Sequence, residues 1–513
     1  MAQPLQNITI AAPAFKGLNT QDSPLSGDVQ YASVVDNAII DTYGRIGSRK
    51  GLEALTVNPE ILNGKSPTVI HEYEDADGAL SILATGDGKI IKGVDELENG
   101  VPTGLIILSD VTPAGYTVSD ENYAIINFND KAYLFNKGVQ PLIYDTASGL
   151  VEMVASSGTA PQGDIAIGGF GRLWVSGVPT APNTVYWSDL LIGDAWNSGS
   201  SGSIDLDKVW PDGSDKVTAL TIWNGFLIIF GYNSIVIYQG AEDPATMSLG
   251  DTINGVGCVA RDTVHATGND LLFLSARGVM SLGRVIQEKS NPINDVSKNV
   301  RDDLVRFWKQ ETQPIRAVYS PTDSFYLLSF PTNNLIYCFD TKGLLENGSF
   351  RVTTWNTTKH LCFTVRQDDT LLVGNTQGIN RYSGFSDNGE DYILRYYSNP
   401  LGFGDSSRVK FPKKLTPTLI CEGVVDVDVK WAYDFTNDYK TSSFTVRSTG
   451  SAYFGSSEFN IGEFSSGAAQ ITTKRINANG SGNLVNVGLE ASINGASLSL
   501  QEFNIQATIG RVY

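Results

Sequence analysis

Between residues 80 and 382 the hydrophobic pattern is a grammar of short apolar runs separated by turn residues. The clearest unit, residues 217–238 (VTALTIWNGFLIIFGYNSIVIY), reads as three strands. The first turn is Asn224-Gly225 and the second Tyr232-Asn233-Ser234. Asn-Gly between two apolar runs is a strong hairpin signal, because a two-residue turn of the favoured type needs positive φ at both positions. The same grammar recurs at 123–144, 165–187, 264–282, 315–339 and 361–382, and more loosely at 80–94. Middle strands start near Ile82, Ala132, Arg172, Phe226, Leu271, Phe325 and Leu371, a mean period of about 48 residues. A period of about 40–50 residues built from short antiparallel strands predicts an all-β protein, a β-propeller of six or seven blades spanning residues 61–395.

Two flanking stretches do not fit the repeat. Residues 1–60 read as an N-terminal arm and docking segment that packs on the propeller or on a neighbouring subunit. After residue 395, alternating strands separated by Gly, Ser and Asn turns predict a C-terminal β-sandwich-like domain over 396–513, with a linker near 397–407. One inserted amphipathic helix is expected over about 295–310. There Val296, Val300, Leu304, Phe307 and Trp308 share a face, and Asn294 or Asp295 is placed to cap its start.

Composition narrows the class. Hydrophobic residues at 41% with 18% charged residues describe a folded chain. No run approaches the roughly 18 apolar residues of a transmembrane helix, and the first residues do not read as a secretory signal. Cys258, Cys338, Cys362 and Cys421 have no metal spacing and sit in apolar runs, which predicts buried free thiols made in a reducing cytoplasm. A formal net charge of −18 disfavours tight binding to nucleic acid, which requires cations on phosphates.

Candidate chemistry is sparse. His71, His265 and His360 are far apart in sequence and have no ligand-spaced partners. The acidic run 72–77 fails as a calcium loop, since its first and last ligand positions fall on Tyr73 and Ala84. Asp205, Asp207 and Asp212 near Gly213 could line a calcium site on a propeller rim, but solvated loop carboxylates are the simpler reading. The basic, glycine-spaced loop 44–51 has a composition that grips phosphate, but the following Gly64-Lys65-Ser66 is no P-loop, because Pro59 stands where its first glycine belongs. Strand-end aromatics (Trp174, Tyr186, Trp187, Trp223, Tyr238, Tyr337, Tyr382) recur once per unit, as packing between blades requires. No catalytic, cofactor-binding or metal-ligating residue is assigned, and no enzyme activity or cofactor is expected.

Several longer phrases carry a resemblance. Residues 183–189 (NTVYWSD), 210–225 (WPDGSDKVTALTIWNG), 238–249 (YQGAEDPATMSL), 252–262 (TINGVGCVARD) and 283–303, with 15–21 and 36–51, resemble the tail nozzle (tail tubular protein B-like) proteins of short-tailed bacteriophages. The likeness is collinear over about 12–390 and continues through 451–460 (SAYFGSSEFN). It implies a structural virion protein of the viral tail, assembled in the bacterial host cytoplasm as a homohexameric ring. Such a ring docks on the adaptor ring below the portal, helps hold the tail fibres and surrounds the genome-ejection channel. Genomic DNA would pass through without sequence-specific binding. The alternative expectation is a glycan-binding or glycan-degrading propeller acting on the host envelope, with acids and aromatics clustered on one rim. A third is a monomeric propeller scaffold, which leaves the N-terminal arm without a partner.

Overall fold

The computed structural model describes residues 5–25, 28–268, 270–289, 295–356, 360–436, 438–447 and 470–510. Seven sheets surround one axis. Their innermost strands are Val69–Glu74, Ala124–Phe128, Ile165–Gly169, Val217–Trp223, His265–Ala266, Arg316–Ser320 and Cys362–Val365, all of which begin at the same end of the ring. Five of the sheets are four-stranded blades, the sixth blade in order is four strands of a larger ten-stranded sheet, and the fifth (His265–Ala266, Leu271–Ser275, Gly278–Ser281) has three strands. The β-propeller expected from the period is therefore present, and the middle strands begin within a few residues of the expected places.

Burial on both faces explains why the middle strands are unbroken apolar runs. In Phe226–Gly231, Leu227 and Ile229 enter the core shared with the third blade, while Ile228 and Phe230 enter the core shared with the fifth sheet. Alternating side chains point to opposite faces of a sheet, so a blade with a neighbour on each side has no solvent face to be polar. The turn at Asn224 (φ 51°) and Gly225 (φ 79°) supplies the left-handed pair that the sequence predicts.

The three-stranded sheet is completed by helices. Helix α1, Leu282–Glu288, is capped by Ser281, whose hydroxyl accepts from the Arg284 amide. Helix α2, Arg301–Gln310, follows a short 3-10 turn, Lys298–Val300. Val296, Val300 and Leu304 are buried between the fifth sheet and the sixth blade, and Ser297 Oγ accepts the Val279 amide on the open sheet edge at 3.0 Å. A covered edge cannot pair with another chain. The amphipathic face lies as expected, but the helix starts later. Asp295 accepts the Ser297 amide and so closes a turn instead of capping α2, while Asn294 lies outside the described residues.

The first sixty residues are woven through both bodies. Leu5–Ala11 pairs with Leu498–Ile509, and the hairpin of Ala38–Ile40 and Ile46–Ser48 joins the same sheet. Tyr31–Asp36 is inserted between Arg351–Trp355 of the sixth blade and Tyr392–Ser398. Leu52–Ala54 is the fourth strand of the seventh blade, against Gly378–Tyr382. The sixth blade thus runs on as one ten-stranded sheet into Val485–Ile493, Val424–Tyr433 and Lys440–Arg447. A second sheet, containing Lys410–Cys421 and Leu498–Ile509, packs over this extension around a common core that includes Ile10, Val35, Ile46, Trp431 and Phe503. Position 395, where the repeat stops in the sequence, falls inside the strand Tyr392–Ser398, and residues 451–460 lie outside the described set.

At the junction, Arg49 donates to both carboxylate oxygens of Asp387, at 2.9 and 2.6 Å, with the two side chains only 2% and 6% exposed. Its guanidinium lies 4.1 Å from the Tyr392 ring centre. Removing one partner of a buried pair leaves an uncompensated charge, so Asp387→Ala is expected to cost about 3–5 kcal/mol in urea unfolding, and Arg49→Met/Asp387→Leu to recover part of it. A loss under about 1 kcal/mol for the single variant would remove the pair as an anchor.

Candidate functional site

At the axis of the propeller, polar side chains from several blades converge. A chamber of about 340 Å³ is lined by residues of all seven inner sheets, among them Ile125, Ile167, Leu220 and Phe363. At the end where the inner strands begin, Arg261 and Asp262 of a short 3-10 turn precede the fifth sheet, and Arg316 opens the sixth blade. Asn122 and Asp164 stand just before the inner strands of the second and third blades.

These side chains form a lock across the axis. Arg261 Nε donates to Asp262 Oδ1 at 3.1 Å and Oδ2 at 3.2 Å. Its Nη2 reaches the Asn122 carbonyl at 2.7 Å and Oδ1 at 2.9 Å, and its Nη1 donates to the Asp164 carbonyl. Arg316 Nη1 lies 3.3 Å from Asp262 Oδ2, and its Nη2 donates to Asn122 Oδ1. Residues on opposite sides of the ring are thereby tied together. Burial raises the Asp262 carboxyl, but Arg261 and Arg316 outweigh it, so Asp262 titrates below its ordinary value and stays ionised. Outside the lock, a wider mouth of about 600 Å³ includes Trp308, Pro179 and Lys216.

The structure brings together two of the three histidines. His71 and His265 both line the chamber, whereas His360 is buried elsewhere. Asn127 Nδ2 donates to the Glu72 carbonyl, which leaves its Oδ1 to accept from His71 Nε2 at 2.9 Å and fixes that tautomer. Burial lowers all three histidine pKa values. For His265 Asp262 partly opposes this, and for His360 burial and then Arg49 bring it down to about 3.

The remaining candidates are held in structural contacts. Asp207 accepts its amide partner from Asn183 and Asp212 from Asn254, while Asp205 binds the Asp207 amide, so these carboxylates face three different partners. Of the run 72–77, Glu72 pairs with Arg366 at 2.7 Å and Asp75 closes a turn through the Asp77 and Ala79 amides. The three cations of loop 44–51 are each paired: Arg45 with Asp41, Arg49 with Asp387 and Lys50 with Asp323. Each cation of the loop is thus engaged by a carboxylate of its own chain, as a packing segment requires. Among the described residues no group of three His, Cys, Asp or Glu side chains could hold a metal. Trp174, Trp187, Tyr238, Tyr337 and Tyr382 are buried between blades, with Trp174 and Trp187 centred 5.5 Å apart. All four cysteines are buried free thiols, and burial pushes Cys258 and Cys362 up to about 12. Sequence reasoning missed Arg261, Asp262 and Arg316. Their signal is charge at the start of an otherwise apolar inner strand, where only the channel mouth can solvate it.

The histidines set a pH dependence. An unfolded histidine takes a proton near pH 6.5, whereas folded His360 takes one only near pH 3. This contribution to stability is therefore complete above about pH 6.5 and is lost as pH falls toward 3. Between pH 6 and 5, His360→Leu is expected to bind up to about one proton fewer on unfolding than the wild type, lowering the slope by up to about 1.4 kcal/mol per pH unit. Equal slopes from urea titrations at the two pH values would show that His360 is protonated in the folded state.

Comparisons with protein-family profiles and with curated sequences give no match. Among solved structures, the chain is similar to the WD40 β-propeller domain of Doa1, at 10% identity over 62% of this chain and 92% of that one, with a TM-score of 0.35. It is similar to the WD40 domain of Neurospora crassa Pan2 at 11% identity, over 65% and 94%, TM-score 0.34. It is also similar to the extracellular domain of a one-component system from B. thetaiotaomicron at 13% identity, over 82% and 60%, TM-score 0.41. These are likenesses of fold alone.

Proposed function

We propose that this chain is a structural subunit of the tail nozzle of a short-tailed bacteriophage, a ring of six copies docked on the adaptor ring and surrounding the path of the genome. The observation that carries the reading is the continuity of the ten-stranded sheet, which carries the sixth blade of the propeller on into the terminal domain. A subunit that must hold its place while a stiff, highly charged polymer moves past it gains from such a joint. Of the segments behind the sequence resemblance, 183–189 lies on the third blade, 210–225 and 238–249 lie on the fourth, and 252–262 with the described part of 283–303 flanks the fifth sheet.

The lock adds a geometric constraint on this reading. On this reading a chamber of about 340 Å³ lined by Arg261, Asp262 and Arg316 leaves no room for a duplex, and the genome would pass between copies instead of along the propeller axis. Tail fibres would then meet the outer face of the ring, and the acidic chain would let DNA slide without the cation contacts that fix it in place. Electron microscopy of the purified protein, alone and mixed with the virus's adaptor–portal complex, tests the proposal. Six-fold rings with an open centre, or new density at the distal end of that complex, are the expected result. Isolated discs in both samples would overturn it and turn attention to glycan binding.

A further inference from the structure

We propose that the outer hairpin of the first blade and the outer face of the terminal domain are the two halves of one head-to-tail contact, so that each takes a second copy of this chain as its partner. The inference rests on the ring reading and assigns the surfaces that join neighbouring subunits. Val69–Glu74 and Leu80–Gly86 of the first blade have six and seven residues, whereas Lys89–Glu98 and Val101–Asp110 have ten each, so their hairpin overhangs the blade. Its register sets Val94 opposite Ile107 and Glu98 opposite Val101. Side chains alternate along a strand, so Glu96 and Glu98 share a face with these three apolar residues. Val94, Ile107 and Val101 are 39%, 40% and 64% exposed. Residues 94–105 include Asp95, Glu96 and Glu98 but no lysine or arginine. Two cations at the base are engaged within the blades, Lys92 over the Tyr144 ring and Arg366 with Glu72.

The terminal domain carries the complement. Leu415 and Leu419 face its core, so Lys414 points outward, and Arg475 does likewise because Ile476, opposite Leu415, is buried. Lys413 and Lys474 are exposed beside them. None of these four cations forms an ion pair among the described residues, and Lys474 only lies over the Phe444 ring. The strands of this sheet hold a single carboxylate, Glu502, opposite Thr418. Phe411 and Ile471 add apolar surface, 37% and 66% exposed. An apolar, acidic strip and an apolar, basic face thus stand on separate bodies of a chain of net charge −18. Like charges keep each from meeting its own kind across a two-fold axis, and unlike charges favour a heterologous contact, which closes into a ring when its rotation permits. Nucleic acid fits the basic face less well, because the remainder of so acidic a chain repels it.

Sedimentation velocity of the full chain at about 50 and 500 mM salt tests the contact. Two charge-reversed variants accompany it, Asp95→Lys/Glu96→Lys/Glu98→Lys in the hairpin and Lys413→Glu/Lys414→Glu/Lys474→Glu/Arg475→Glu in the sheet. The wild type is expected to associate and to lose at least about tenfold in affinity at the higher salt. Each variant alone is expected to stay monomeric, and an equimolar mixture to associate, because every hairpin then finds a sheet of opposite charge. Carbodiimide coupling of wild-type chains mixed in two isotopic forms needs no variant. It is expected to link Glu96 or Glu98 of one copy to Lys413, Lys414 or Lys474 of another. A monomeric wild type, variants that associate as it does, or a mixture that fails to recover would each overturn the contact. Duplex DNA bound by a wild type that does not self-associate, and lost in the sheet variant, would overturn it in favour of nucleic acid. Six-fold rings that survive both reversals sink the contact and leave the ring reading intact, whereas recovery in the mixture upholds the contact even where the adaptor–portal complex gains no density.

Discussion

The buried fork between Arg49 and Asp387 is the interaction on which the arrangement of the two bodies turns. It joins the end of the N-terminal hairpin to the loop that follows the seventh blade, and Tyr392 and Trp355 lie beside the guanidinium, 4.1 and 5.7 Å from it. Three chain segments distant in sequence therefore meet at one charge. Immediately after Arg49, the backbone passes so close to Ser386 that a Cβ on Gly51 would sit 2.0 Å from its carbonyl oxygen. Only glycine permits that approach, and the approach aligns Leu52–Ala54 with Gly378–Tyr382 to close the ring. A charge pair in low dielectric tolerates little displacement, so closure of the propeller and docking of the terminal domain are set by the same few atoms.

Ring closure then decides how the remaining cores form. Each blade buries both faces, so no blade has a complete core without its neighbours, as in repeat proteins whose units are stable only when stacked. The fifth sheet is the exception that explains the helices. It lacks a fourth strand, and α1, α2 and the intervening Ser297 cover the exposed edge and fill the space between blades with Val296, Val300 and Leu304. Across the axis, the Arg261–Asp262–Arg316 lock supplies polar ties that blade-to-blade packing cannot, because inner strands on opposite sides of the ring do not touch.

Much of this was legible in the sequence, for identifiable reasons. Turns such as Asn224-Gly225 and apolar runs such as FLIIF follow from local rules, because both-sided burial leaves its mark on every residue of a middle strand. The helix face at Val296, Val300 and Leu304 was visible for the same reason, but its start was not, since Asp295 serves a turn that depends on Ser297 meeting the sheet edge. The weaving of residues 5–54 through both bodies left no local trace. Strands such as Tyr31–Asp36 are short, and their partners lie more than three hundred residues away, so their pairing is a property of the closed ring. Arg49 could be seen only as one cation in a glycine-spaced loop, because Asp387 is 338 residues distant.

The lock was hidden for a different reason, and that reason bears on its role. Arg261, Asp262 and Arg316 belong to three positions with no common motif, and only closure of the ring brings them within hydrogen-bond reach. If the axis needed merely to be filled, apolar side chains from the inner strands would do so without desolvating two guanidinium groups and a carboxylate. Polar groups at that place hold register between blades that do not touch, and with Asp164 beside Arg261 their charges balance, two guanidinium groups against two carboxylates.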